Sequence, residues 1–333
     1  MAATRPTLST TMKAVTQDTY GPSDVLKFGD IDVPAVGDDQ VLVRVKAAGV
    51  NPGDWAVMNG LPYIARPVYG WGRPKNAVRG TDVAGLVEAV GEGVTRFKVG
   101  DEVFGSGDGT YAEYTAADEG ALALKPGNAS FEQAAAVPMA GLVALQAVRD
   151  HGRVTAGHKV LINGASGGVG TFAVQIAKSL GAHVTGVCST RNVEMVRAIG
   201  ADHVIDYTQH DFTRNEPRYD FILDNVANHP LSDLRHALTP TGTLVPNSGG
   251  FDNRWFASGG RVIHAHALRL VAKRNLRPFL VSYNPEDLTT LKDLIDAGTV
   301  TPIIDRTFPL IDTPQAIAFV GEGHARGKVA ITV

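Results

Sequence analysis

The chain of 333 residues is long enough for two domains, and its 44 % hydrophobic and 20 % charged content is ordinary for a soluble globular protein. A net charge of −3 gives no electrostatic reason to expect nucleic acid or an acidic membrane surface as partner. The single cysteine, Cys188, excludes a disulfide framework or a cysteine-built zinc site within the chain and fits a reducing, cytoplasmic setting, and no stretch is long and apolar enough to span a bilayer. The first eleven residues lack the apolar core of a signal peptide and read as a loose tail. A transit peptide is disfavoured by their shortness and single arginine.

From Met12 to about Ser130 the pattern predicts strands. Asp39–Val50 alternates and is rich in valine, and Asp82–Gly91 and Asp101–Gly105 follow with turn glycines between them. Pro62–Gly80 predicts a long loop with three prolines, two tyrosines and a tryptophan, a length that in a compact domain points to function or mobility. At Phe131 the rhythm changes. A helical segment interrupted by Pro138 leads into alternating strands and helices, from Lys159–Gly164 to Gly242–Gly249, which predict βαβ units and a parallel sheet. Beyond about Arg274 come Pro278–Tyr283, a helix over Glu286–Gly298, Ile303–Leu310, Thr313–Gly323 and Gly327–Val333.

The first βα connection carries Gly164, Gly167 and Gly170 at three-residue spacing, between a predicted strand and a predicted helix. Such a turn can bring backbone against a dinucleotide pyrophosphate, which then sits on the helix N-terminus. The NAD-specific acid expected about 20 residues on is missing. The second strand ends instead in Ser189, Thr190 and Arg191, whose hydroxyls and guanidinium suit a 2′-phosphate and argue for NADPH over NADH.

Gly164–Gly170, Gln175–Ala182, Gly200–Tyr207 and Gly49–Trp55 together resemble the medium-chain dehydrogenase/reductase superfamily, and within it the zinc-independent quinone oxidoreductase branch. The resemblance covers Met12 to Val333. It implies an α/β architecture with a GroES-like β-rich catalytic domain (12–130 with 275–333) and a doubly wound Rossmann coenzyme-binding domain (131–274), with the substrate in the cleft between them. Zinc-dependent members carry Cys where this chain has Asn51 and Gly-His-Glu where it has Gly80–Asp82, so no metal is expected; His264 and His266 read as structural or solvated.

Carried over position by position, the resemblance puts Asn51 near the nicotinamide, Ser166, Gly168 and Val169 in the pyrophosphate turn, and Ser189 and Arg191 at the 2′-phosphate. It puts Tyr207 near the adenosine phosphate, Asn225 towards the ribose and nicotinamide, Phe279 and Val281 beside the nicotinamide, and His324 and Arg326 in a cofactor-contacting segment, His324–Lys328. The expected reaction is hydride transfer from NADPH to a quinone or similar electron-poor carbonyl acceptor, with Asn51 and Tyr63 as polar contacts for the acceptor oxygen. A 2-alkenal or enoyl reductase of the same fold and a non-catalytic NADPH-binding sensor are the alternatives. A homodimer through the Rossmann domains would be usual for relatives.

Overall fold

A computed structural model describes residues 10–214, 218–247, 255 and 276–333. His264 and His266 lie outside the described residues. The chain forms two main sheets, each built where the sequence supplies apolar runs of strand length.

The N-terminal part opens with an antiparallel pair, β1 (Thr11–Gln17) and β2 (Leu26–Asp32). Then come β3 (Gln40–Val50), the short helix α1 (Pro52–Met58), the single helical turn α2 (Arg66–Tyr69), β4 (Asp82–Val90), β5 (Glu102–Ser106), β6 (Tyr114–Asp118) and β7 (Leu122–Leu124). Two strands from the end of the chain, β13 (Ile304–Pro309) and β14 (Lys328–Thr332), join the same sheet, whose order is β13-β14-β3-β4-β5-β7, with β6 also paired to β3. β14 pairs with β3 antiparallel, Val329 opposite Val50. The Pro62–Gly80 segment is more ordered than a plain loop: Arg66 lies between the Tyr20 and Tyr63 rings, 4.9 and 4.5 Å from their centroids, and bonds to the Gly60 carbonyl.

The middle of the chain begins with α3 (Phe131–Ala135) and α4 (Pro138–Leu145). Ser130 caps α3 through the Gln133 N–H, and Pro138 stands in the first turn of α4, where its missing N–H costs no helical bond. A five-stranded parallel sheet follows, from β8 (Lys159–Asn163), β9 (His183–Cys188), β10 (His203–Asp206), β11 (Tyr219–Asp224) and β12 (Leu238–Pro246). Its order, β10-β9-β8-β11-β12, places the reversal of winding at β8, which is where ligands enter such sheets. Helix α5 (Gly168–Ser179) leaves β8 and buries Phe172, Ala173, Ile176 and Ala177 in the main core with Val160, Ile162 and Val184. Helices α6 (Val193–Ala198) and α7 (Leu231–His236) complete the connections.

Pro278–Tyr283 runs without helix or strand, and the helix Pro285–Asp296 starts on an Asn284 cap. Among the described residues no helix is long and apolar enough to cross a membrane.

Candidate active site

The glycine turn closes β8. Gly164 has φ +78°, a backbone state that disfavours side chains, and a Cβ on Gly170 would lie 2.1 Å from the Gly164 carbonyl oxygen. Gly170 thus lets the start of α5 pack directly on the turn. Ala165 is fully buried, facing the bare surface of Gly186 on β9. Ser166, Gly168 and Val169 stand at the opening of α5, whose first N–H groups have no partner within the helix. This is a cradle that fits a pyrophosphate.

Beyond the end of β9, Ser189, Thr190, Arg191, Tyr207 and His324 line an open pocket of about 350 Å³. Arg191 donates to the His324 carbonyl (2.9 Å), and Asn192 donates to both Ser166 and Ser189, tying the pocket to the glycine turn. The Thr190 hydroxyl is turned towards Asp206 (2.6 Å). Hydrogen bonds from Thr190, Thr208 and Gln209 hold that carboxyl down at about 2. Thr190 therefore offers a phosphate little beyond its place in the wall.

The C-terminal segment meets the same turn. Gly327 donates to the Ser166 carbonyl (2.8 Å) and bridges Gly167, and the next residue sends its side chain across Gly168. That residue is Lys328, and it reaches the centre of a buried polar cluster. Its ammonium bonds to Asn51 Oδ1 and to the Val50 carbonyl (3.1 Å) and lies 3.7 Å from the Asp82 carboxylate. Asn51 Nδ2 donates to Asp82 (3.0 Å), and the Met139 N–H approaches both Asp82 oxygens at 3.3 Å. The Asn51 N–H donates to Asp54 (2.8 Å), which also accepts from the Tyr111 hydroxyl (2.8 Å). Lys328 is 4 % exposed and Asp82 fully buried. Burial pushes the Asp82 carboxyl up and the Lys328 ammonium down, and each opposes the shift of the other. Burial also raises Asp54 to about 6, against the two bonds it accepts.

Of the residues singled out in the sequence, the structure brings together Asn51 and the glycine turn through Lys328, and Ser189, Thr190, Arg191, Tyr207 and His324 around one pocket. Asn225 donates to the Asn163 carbonyl at the end of β8, beside Gly164. Among the described residues no hydrogen bond joins Tyr63 to the Asn51 cluster; its ring packs edge-on against Trp255 at 5.6 Å. Phe279 stacks on His151 at 4.3 Å, and Phe279 and Val281 both pack against the main core. Arg326 is exposed, with its N–H on Asp305. Asp54 and Tyr111, which share the buried cluster with Asn51, are not among the residues singled out in the sequence, and Asp82 and Lys328 enter there only as the ends of longer runs. A signal existed: Asp82 and Lys328 are opposite charges, each heading an apolar strand.

Residues 37–147 match the alcohol dehydrogenase GroES-like domain family, and residues 199–331 match a zinc-binding dehydrogenase family. The chain is 32 % identical to a chloroplast envelope quinone oxidoreductase homolog of Arabidopsis thaliana, over 96 % of this chain and 98 % of that protein. It is 35 % identical to the mitochondrial NAD(P)H oxidoreductase RTN4IP1 of Mus musculus, over 98 % and 90 %. The chain belongs to the medium-chain dehydrogenase/reductase family. Its fold is that family's GroES-like unit combined with a Rossmann-like parallel sheet, and the quinone oxidoreductase of Coxiella burnetii superposes with a TM-score of 0.85 at 32 % identity, over 97 % of this chain and 99 % of that one. As a member of this family the protein is an oxidoreductase that uses a nicotinamide cofactor, and the cradle and the pocket beside it fit such a dinucleotide.

Zinc is the other group the family raises. Zinc takes thiolate, imidazole and carboxylate ligands. Here the corresponding positions hold a carboxamide, Asn51, and the Gly80–Asp82 run, whose one carboxylate is paired with an ammonium. These residues do not fit the ion. Among the described residues no group of three or more His, Cys, Asp or Glu side chains is placed to hold a metal.

Proposed function

We propose that the protein is an NADPH-dependent oxidoreductase that reduces a quinone or similar electron-poor carbonyl acceptor without a metal. We further propose that residues 12–130 with 275–333 form its catalytic domain and 131–274 its coenzyme domain. The observation that carries the choice of cofactor is the Arg191 pocket. An arginine, a serine and a tyrosine surround an open space next to the glycine turn; β9 itself ends without a carboxylate, and the neighbouring Asp206 at the end of β10 is engaged by Thr190, Thr208 and Gln209.

When bound, the cofactor supplies the hydride. The chain's own residues have simpler tasks. The turn from Gly164 to Gly170 holds the pyrophosphate on the α5 N-terminus. Arg191 and Ser189 hold the 2′-phosphate. Asn51 offers an amide N–H to the acceptor oxygen as that oxygen gains negative charge. A buried cluster around it keeps that donor from reorganising during the reaction.

Fluorescence titration with NADPH and NADH tests the cofactor assignment. NADPH should bind at least tenfold tighter, and Arg191→Ala should remove that preference while leaving NADH affinity within about twofold. Equal binding of both by the unmodified protein would overturn the pocket. NADPH consumption with 1,4-benzoquinone tests the reaction, and no oxidation despite tight NADPH binding would favour a binding role instead.

A further inference from the structure

A carboxamide is nearly symmetric in shape, and its two ends are told apart only by what they face. Around Asn51 the neighbours leave no ambiguity. A lysine ammonium has donors and no acceptor, so the atom against Lys328 is Oδ1. An ionised carboxylate has acceptors and no donor, so the atom against Asp82 is Nδ2. Turned over, the amide would set N–H against ammonium and C=O against carboxylate at once. The ammonium is held in place by the Val50 carbonyl, and the carboxylate by the Met139 N–H. The lysine stem is braced against Gly168, where a Cβ would come within 2.9 Å of its Cδ.

We propose that Lys328 is a positioning residue: together with Asp82 it fixes which way round the Asn51 carboxamide lies, and so reserves the second Nδ2–H for the acceptor oxygen. This rests on the reading of Asn51 as the donor to that oxygen. It gives the buried ion pair a task beyond holding β14 to β4, and it makes the orientation of a catalytic donor depend on a residue docked against the cofactor turn.

Two measurements test it. Neutron diffraction from deuterated crystals of the unmodified protein locates the amide deuterons; they should lie on the atom facing Asp82, and deuterons facing Lys328 would overturn the proposal whatever the protein's activity. The second uses the paired variant Lys328→Met with Asp82→Asn, which removes both charges and leaves no lone buried ion. It should melt close to the unmodified protein and bind NADPH within about threefold. Its kcat with 1,4-benzoquinone should fall at least tenfold, and Lys328→Arg, which keeps a donor-only side chain, should recover most of that loss. A paired variant that recovers both stability and kcat would reduce the pair to a structural contact and overturn the proposal. Failure of the unmodified protein to reduce any quinone would instead strike the functional reading, and the diffraction result would still decide the orientation.

Discussion

Asp54 sits in the first turn of α1 with its carboxylate shared between the Asn51 N–H and the Tyr111 hydroxyl, and burial raises it from 3.8 to about 6. Between those two pH values the folded protein holds a proton that the unfolded chain has released, so stability falls as pH rises through that window. The full cost is on the order of 3 kcal/mol, at ~1.4 kcal/mol per pK unit. Asp54→Asn keeps an acceptor for both bonds and removes the titration. Relative to the unmodified protein, it should therefore gain stability as pH rises from 4 to 7, which urea denaturation at four pH values would show. Parallel stability curves would count against the raised carboxyl. At this scale the sequence was half legible. Asn51, Ser189 and Arg191 stand out because motif position marks them. Asp54 and Tyr111 do not, because what joins them to the cluster is burial beside one another across more than 50 residues of chain, and no local pattern records that; Lys328 is marked only as a charge heading an apolar strand.

The elements follow the same division. The βαβ rhythm from Lys159 onward is legible because the central strands β8, β9 and β11 are buried on both faces and read as short apolar runs. β2 is not, since its residues are mostly exposed or half-buried and show little alternation. α1 has seven residues, fewer than a helical period needs to declare itself. The helix α5 depends on contact rather than propensity. Gly170→Ala drives a Cβ into the Gly164 carbonyl. It should cost ~2–3 kcal/mol or more, as overpacking does, and should weaken NADPH binding at least tenfold through the displaced turn. Gly53→Ala is the opposite case. Gly53 lies in the first turn of α1, exposed and with open space around its Cα. The substitution should stabilise by about 0.5–1 kcal/mol, the helix preference of alanine over glycine. Thermal melts of both variants separate a glycine needed for close approach from one that is not.

At the scale of the whole molecule, the two sheets are held together by side chains that bridge distant segments. Gln175 on α5 exchanges two hydrogen bonds with Thr301, and Gln146 exchanges two with Ser282 and a third with Asp287. The cofactor cradle and the Arg191 pocket both draw on the C-terminal segment, through Gly327 and His324. On the proposed placement, a dinucleotide bound there would stabilise both sheets at once. NADPH at 100 times its Kd should raise the unfolding free energy by about 2.7 kcal/mol, in one transition rather than two. A scan in which only one of two transitions moves would show that the sheets unfold separately.

The place of β14 also sets an order of events during synthesis. β3 is made early, but its partner β14 leaves the ribosome some 280 residues later, as the separation of 278 residues between Val50 and Lys328 records. At 5–20 residues per second that is a wait of roughly 14–56 s. Within it the parallel sheet can assemble, while the Ala47–Val50 end of β3, beyond its pairing with β6, keeps its outer backbone groups bare, a template for pairing with another chain. A nascent chain arrested after Asp312 should therefore resist protease across the parallel sheet and yet be held by chaperones through its N-terminal strands. Release should come only when Lys328–Thr332 slides in beside β3, so that the strand which completes this sheet is also the one that brings Lys328 to Asn51.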